Sequence, residues 1–306
     1  MRRIWGIGIA VTLVVLLVVA FFSVLNWYKR NEPKKSTELQ KQITLVQEVD
    51  PCWNVAATPE KIKEINDIFS QPFHFIGEGK QCTAYVSQDG KYCLKFLLQK
   101  PLTVKPRFDN LPNIFPFTLV KSYKTTMRDD RKLDLFYAFM ISYYTAPEQT
   151  GVLYVHLTPT DNLFTKPFII DEKYNPVYID TDSTQFILQK CAKLVKPTLI
   201  DLICKGNVVE AQERIDQVLM LLFEAAKKGI IDADPSLIRN NNIGFLADRA
   251  IYIDTGKLRL VKDELTRKDF VKDLKRLKPF YKWLQAYYPE LAEHFAMKQQ
   301  QLIDTY

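Results

Sequence analysis

Hydrophobic residues fall in three kinds of run along this chain, and each kind predicts a different element. The first is continuous. Ile4 to Tyr28, IWGIGIAVTLVVLLVVAFFSVLNWY, carries no charge over 25 positions. At about 1.5 Å per residue such a helix exceeds the roughly 30 Å hydrocarbon core of a bilayer. Trp5, Trp27 and Tyr28 lie near its ends, where amphipathic aromatics favour the interface. A cleavable signal peptide would have an apolar region of about 7–15 residues and a small-residue cleavage site. The expectation is therefore an uncleaved membrane helix over 4–28 behind a short flank, 1–3. Arg2 and Arg3 precede this span, whereas Lys29, Arg30, Lys34 and Lys35 follow it. That excess predicts a single-pass protein with its C-terminal portion in the cytoplasm. Residues 29–49 read as a basic polar tether, and a soluble domain begins near Asp50.

The second kind of run alternates. Residues 73–99, FHFIGEGKQCTAYVSQDGKYCLKFLLQ, interleave aromatic and β-branched residues with polar ones. Asp89-Gly90 stands between two such runs, which is a hairpin signal. Further strands are predicted at Val152–Leu157, Phe168–Asp171, Pro176–Asp180, Phe186–Lys190, Ile243–Leu246 and Ala250–Ile253. The third kind has helical period: Pro59–Phe69, part of Phe117–Tyr144, Lys193–Cys204, Val208–Lys228 and Glu264–Leu302. Within Val208–Lys228, Ile215, Val218, Leu222 and Ala225 form one stripe. The class is α+β, with a β-rich part holding an inserted helix over 50–190 and a helical part over 191–306.

Composition sharpens this picture in two places. The net charge is +7, from 42 basic and 35 acidic residues. Residues 1–49 hold seven basic and three acidic side chains, so +4 of the excess belongs to the anchor and its flanks. The remaining domain is nearly balanced, which removes the main support for nucleic-acid binding. The five cysteines form no CxxC pair and suit a reducing compartment better than a disulfide framework. His74, His156 and His294 are scattered and predict core or surface roles rather than a metal site. The alternating charges of Lys262–Lys278 read as a solvated helix face with contact to anionic lipid.

Candidate chemistry lies in three short motifs. Ile76-Gly77-Glu78-Gly79-Lys80 opens the hairpin, as a tight turn or as backbone that approaches a polyphosphate. Lys95, in Tyr92-Cys93-Leu94-Lys95-Phe96, is either an outward, solvated lysine or one paired with an anion, because burying it unpaired is costly. Gly229-Ile230-Ile231-Asp232-Ala233-Asp234-Pro235, followed by Asn240-Asn241-Asn242, gathers carboxylates and amides on one loop. These are turn residues or a polar site. Ala250-Ile251-Tyr252-Ile253-Asp254-Thr255-Gly256 ends a strand on an aspartate, a turn or a place for an oxygen-ligated divalent cation.

In this order the motifs resemble those of the protein-kinase-like superfamily over residues 71–256. The resemblance implies a two-lobed fold with a truncated helical C-lobe, preceded here by one transmembrane helix. It implies ATP and Mg²⁺ as cofactors. Gly77 and Gly79 would cover the phosphates, with Lys95 contacting them from the third strand. Phe186-Ile187-Leu188-Gln189-Lys190 is similar to the strand leading to the hinge under the adenine, which makes Gln189 a nucleotide-site residue. Asp234 matches the proton acceptor for a substrate hydroxyl. Asn242 and Asp254 match the metal-binding asparagine and the Asp of Asp-Phe-Gly, with Asn240 or Asn241 as alternatives for the former. The sequence also departs from the family. Cys82 replaces the third glycine, Asp232 and Ala233 replace His and Arg, and no glutamate lies between Glu78 and Glu148 to pair with Lys95, leaving Asp129, Asp130 and Asp134. Only 50 residues follow Gly256, too few for an activation segment and a peptide-docking subdomain. The implied function is a membrane-anchored kinase-like protein that binds ATP–Mg²⁺ and transfers phosphate to a small molecule or to itself. The alternative is an inactive kinase-fold interaction module tethered to the membrane. Its partners would be membrane lipid through 4–28, nucleotide, and a small-molecule substrate or a protein, with no nucleic acid.

Overall fold

The computed structural model describes residues 37–45, 49–79, 81–99, 133–234, 237–238, 242–261 and 264–306. The predicted span 4–28 lies outside them, and among the described residues no helix is long and apolar enough to cross a membrane. Inside the stretch read as a tether, Thr37–Ile43 forms a helix, α1, whose Ile43 is fully buried. Its end joins the domain: Thr44 bridges Thr184, and the Leu45 N–H donates to the Ser183 carbonyl at 3.0 Å.

The predicted helix Pro59–Phe69 is α2. It starts where Thr58 accepts the Lys61 N–H and Pro59 occupies the first position, both helix-start signals. Ile65, Ile68 and Phe69, at i, i+3 and i+4, are its buried face. The strands β1 (Phe73–Glu78), β2 (Cys82–Ser87), β3 (Tyr92–Leu97), β4 (Val152–His156), β5 (Phe168–Ile170), β6 (Pro176–Tyr178) and β7 (Phe186–Lys190) form one sheet in the order β4-β7-β3-β2-β1-β5-β6. Its pairings are antiparallel except β1 with β5. Gly90, at φ 71°, supplies the left-handed residue of the β2–β3 turn that Asp89-Gly90 predicts.

Register decides which side chains share a face. Lys95 sits opposite Ala84 and Ile187, while Leu94 sits opposite Tyr85 and Leu188. Cross-strand partners point the same way. Tyr85, Leu94, Phe96, Phe186, Leu188 and Tyr154 therefore pack in one apolar core with α2, where the Phe69 ring lies edge-on to Phe186 at 5.6 Å. Lys95 is on the opposite face.

Residues 133–140 form α3, within the stretch 117–144 where a helix is expected; residues 117–132 of that stretch lie outside the described ones. This helix adds Leu135, Phe136 and Phe139 to the sheet's core and Ala138 to a second core. The second core is built from β8 (Lys193–Leu194), α4 (Val195–Cys204), α5 (Val208–Lys227), β9 (Ile230–Asp232), β10 (Ile243–Phe245), β11 (Ala250–Tyr252), β12 (Leu258–Leu260), α6 (Arg267–Leu274), α7 (Lys278–Tyr287) and α8 (Pro289–Thr305). The predicted α5 stripe Ile215, Val218, Leu222 and Ala225 is fully buried there. Two small sheets lie among these helices, β11-β10-β8 and β12-β9. The helix expected over 264–302 is divided into three. A 3₁₀ turn at Lys275–Leu277 separates α6 from α7, and Tyr288, at φ −146°, ends α7 before Pro289 starts α8.

Gly244 on β10 is where these small strands close up. A β-carbon there would lie 2.6 Å from Ile253 Cδ1 and 2.7 Å from the Lys193 carbonyl oxygen, which is backbone and cannot swing aside. Gly244→Ala is therefore expected to lower unfolding free energy by about 1–3 kcal/mol, measured by urea denaturation. An unchanged midpoint would contradict the β8-β10-β11 packing.

Candidate functional site

One row of residues crosses four strands on the face of the large sheet that carries Lys95. Gly77 pairs with Ala84, Ala84 with Lys95, and Lys95 with Ile187. The register slips by one residue between Phe75 and Gly77, so β1 bulges just before the turn to β2. Gly79 closes that turn by donating its N–H to the Cys82 carbonyl at 2.8 Å. Neither Gly77 nor Gly79 has a positive φ, and a β-carbon on Gly77 would meet nothing within 4 Å among the described residues. Backbone conformation therefore does not require glycine at position 77, and the space beside it stays open.

The sheet grips the second core through two side chains. Lys95 Nζ donates to the Ile253 carbonyl at 2.5 Å. The buried Gln189 amide donates to the Tyr252 carbonyl at 2.9 Å and the Thr150 carbonyl at 2.6 Å. Consecutive carbonyls at the end of β11 are thus held from β3 and β7. Ile253 in turn donates its N–H to the Asn242 carbonyl at 2.7 Å, which fixes Asn242 beside the residue that precedes Asp254. Asp254 is exposed, and its Oδ1 accepts the Gly256 N–H at 3.1 Å in a tight turn. A β-carbon on Gly256 would sit 2.9 Å from Leu135 Cδ1 and 3.2 Å from Gln81 Oε1. The β1–β2 turn and α3 thus both come down onto the Asp254-Thr255-Gly256 segment. These contacts set Lys95 and Asn242 on the Ile253 peptide next to Asp254, and Gln81, in the turn that Gly79 closes, beside Gly256.

Asp234 lies on the loop after β9 and is held on every side. Its N–H donates to Asp232 Oδ1 at 2.8 Å, its Oδ2 accepts from Lys257 Nζ at 2.6 Å, and its carbonyl accepts from Arg276. The neighbouring Ala233 N–H donates to the Lys257 carbonyl at 2.9 Å, continuing the β9–β12 pairing. Asp234 is only 5% exposed. Three of these partners were not expected from the sequence. Asp232 belongs to the quoted motif but reads there only as a departure. Lys257 directly follows that motif's glycine, and Arg276 stands in the charge-alternating run taken for a solvated face. Arg276 instead points inward, with NH1 2.6 Å from Asp273 Oδ1 and a side chain 18% exposed.

Two expected features differ in detail. Lys95 has no carboxylate partner among the described residues: Asp134 pairs with Arg259 at 3.4 Å on the surface, and Asp129 and Asp130 lie outside the described residues. Asn240 and Asn241 lie outside them as well. Cys82, in place of a third glycine, is held as a neutral thiol, because burial pushes its pKa up to about 12 against the pull of the Lys95 ammonium. The histidines are structural: His156 stacks on Phe186 at 4.9 Å, His294 pairs with Asp216 at 2.8 Å, and His74 contacts Gln88 at 2.7 Å. Among the described residues, no group of three His, Cys, Asp or Glu is placed to hold a metal ion. The donors that the motifs offer are the oxygens of Asn242 and Asp254. Such a hard donor pair suits Mg²⁺, which keeps waters and takes phosphate oxygens as its remaining ligands.

Asp232 carries the clearest electrostatic signature. Burial raises its pKa to about 6, opposed by its hydrogen bond from Asp234 and by Arg276, and its Oδ2 has no hydrogen-bond partner among the described residues. The folded state then binds more protons than the unfolded state between about pH 4 and 6, so this carboxyl lowers stability as pH rises through that window. An Asp232→Asn variant keeps the acceptor for the Asp234 N–H but does not titrate. Between pH 4 and 7 its stability relative to wild type should rise by up to about 3 kcal/mol, read from denaturation at each pH. A constant difference would contradict the burial of this charge.

No family profile and no curated protein matches the sequence. Among solved structures the chain is similar to the bifunctional kinase-methyltransferase WbdD, at 14% identity and a TM-score of 0.35, covering 74% of this chain and 42% of that one. It is similar to WaaP in complex with acyl carrier protein, at 10% identity and a TM-score of 0.32, covering 81% and 98%. It is also similar to APH(2″)-IIa in a ternary complex with streptomycin and ATP, at 11% identity and a TM-score of 0.28, covering 82% and 99%. The chain spans less than half the length of WbdD. At these scores the likenesses add no weight to the contacts described above.

Proposed function

We propose that this chain is a divergent, kinase-like phosphotransferase that binds ATP with Mg²⁺ in the cleft between the large sheet and the loops after β9 and β11. The observation that carries this reading is the grip on Tyr252 and Ile253. Gln189 and Lys95 take their two carbonyls, so the Lys95 ammonium stands over the segment that ends in Asp254. The open space at Gly77, one strand beyond Ala84, offers the triphosphate a place beside that ammonium. Lys95 and the backbone of Gly77 and Gly79 would hold the phosphates, and Asn242 and Asp254 would hold the metal. Bound there, Mg²⁺ would neutralise charge on the phosphate oxygens.

In this reading Asp234 Oδ accepts the proton of the acceptor hydroxyl as its oxygen attacks the γ-phosphorus. The bond from that phosphorus to the β–γ bridging oxygen breaks, and ADP departs with the electron pair. Lys257 keeps the buried Asp234 carboxylate paired, as a charge removed from water requires. Ten residues separate Gly256 from Arg267 at the start of α6, and among the described ones β12 is the element formed, which leaves little room for a peptide-docking segment and favours a small-molecule acceptor. The predicted span 4–28 would hold the domain at the cytoplasmic face of a membrane. One observation favours a catalytically inactive interaction module instead: the Lys95 ammonium is already bonded to a carbonyl, with no carboxylate among the described residues to orient it toward phosphate.

Thermal denaturation of the full-length chain in detergent separates the two. The phosphotransferase reading predicts that millimolar ATP raises the melting temperature, more so with Mg²⁺ than without. It also predicts that Gly77→Val abolishes the shift while the ligand-free melting temperature stays put, since the side chain enters open space. No shift for wild type would overturn nucleotide binding. Asp234→Ala should cut ATP turnover at least ~10²-fold with binding retained; unchanged turnover would remove Asp234 from the chemistry.

A further inference from the structure

Arg276 lies outside the motif region 71–256, yet it reaches the loop that carries Asp234. Its segment, the 3₁₀ turn Lys275–Leu277, joins α6 to α7, and Leu274 and Leu277 anchor that joint in the second core. The guanidinium uses both arms of its fork: NH1 meets Asp273 Oδ1 at 2.6 Å and NH2 meets the Asp234 carbonyl. On the other side of the same residue, the Asp234 N–H is taken by Asp232 Oδ1 at 2.8 Å. The two peptide groups of Asp234 are thus bound by side chains from separate elements, β9 and the α6–α7 joint. The carboxylate between them accepts from Lys257 Nζ at 2.6 Å.

We propose that Arg276 is a positioning residue that fixes the Asp234 peptide, and through it the carboxylate, so that the C-terminal helices set the geometry of the loop after β9. A rigid planar fork suits this task because one arm is secured by a nearly buried carboxylate while the other addresses a single carbonyl. Asp273 is 7% exposed and its Oδ2 has no partner among the described residues, so Arg276 is also its main compensation. The physical clamp stands on these contacts alone; its catalytic consequence rests on the phosphotransferase reading.

Removing Arg276 alone would leave Asp273 as an unpaired buried charge, and that variant could fail to fold for this reason. The informative variants are therefore Arg276→Lys, which keeps the charge but cannot serve two acceptors in fork geometry, and the pair Arg276→Gln with Asp273→Asn, which removes both charges together. Hydrogen exchange of the full-length chain reads the clamp without any need for activity. In both variants, amides of residues 232–234, 237 and 238 are expected to exchange at least ten times faster than in wild type, while α5 and α8 exchange as before. Unchanged exchange at these five amides, or an equal rise throughout α5 and α8, would overturn the proposal. In parallel, turnover at saturating ATP should fall at least tenfold in both variants, with ATP affinity within threefold of wild type. A loss of affinity with full turnover would also overturn it. Failure of wild type to bind or turn over ATP would overturn the phosphotransferase reading and the catalytic consequence, and the exchange result would still decide the clamp.

Discussion

Everything at this cleft depends on two side chains from the large sheet satisfying consecutive carbonyls at the end of β11. Lys95 and Gln189 lie on β3 and β7, and they share one face of the sheet because antiparallel register places Cys93 and Lys95 opposite Gln189 and Ile187. Their targets, Ile253 and Tyr252, are 158 and 63 positions away in sequence. Carbonyls at the end of so short a strand need partners once buried. Drawing them from the other core fixes how the two halves meet. That junction places Asp254 beneath the sheet, and the β10–β11 pairing brings Asn242 with it.

The floor of the cleft is a different kind of structure, one made of charge rather than apolar packing. Asp232, Asp234 and Asp273 are all nearly buried, and Lys257 and Arg276 stand against them. Three oxygens beside this cluster, Asp232 Oδ2, Tyr252 OH and Asp273 Oδ2, have no hydrogen-bond partner among the described residues. Burial raises the pKa of both Asp232 and Asp273. A chain folding for stability alone has little reason to collect carboxylates where desolvation opposes them. Such arrangements concentrate where charge must be handled, and this cluster surrounds the loop that bears Asp234.

Much of this was legible in the sequence, for identifiable reasons. Alternation around Asp89-Gly90 gave the β2–β3 hairpin, and the stripe on α5 gave its buried face, because those elements are long enough for their periods to show. Short strands were another matter. β8, β9 and β12 span two or three residues, below the length at which a period of two can be seen. Lys95, Asp234, Asn242 and Asp254 stood out through local motifs. Arg276 and Lys257 did not, since Arg276 sits in a run whose alternating signs look like any solvated helix, and only the fold turns one of those charges inward. The same limit applied at Thr37–Ile43, where polar composition suggested a tether while Ile43 and Thr44 bind the domain.

The most direct measurement is a crystal structure of the chain grown with Mg²⁺ and a non-hydrolysable ATP analogue. The triphosphate is expected between the β1–β2 turn and the segment after β11, with Lys95 Nζ on a phosphate oxygen and the metal on Asp254 and Asn242. A nucleotide bound elsewhere, or a cleft with Lys95 still on the Ile253 carbonyl at millimolar analogue and no nucleotide density, would contradict it.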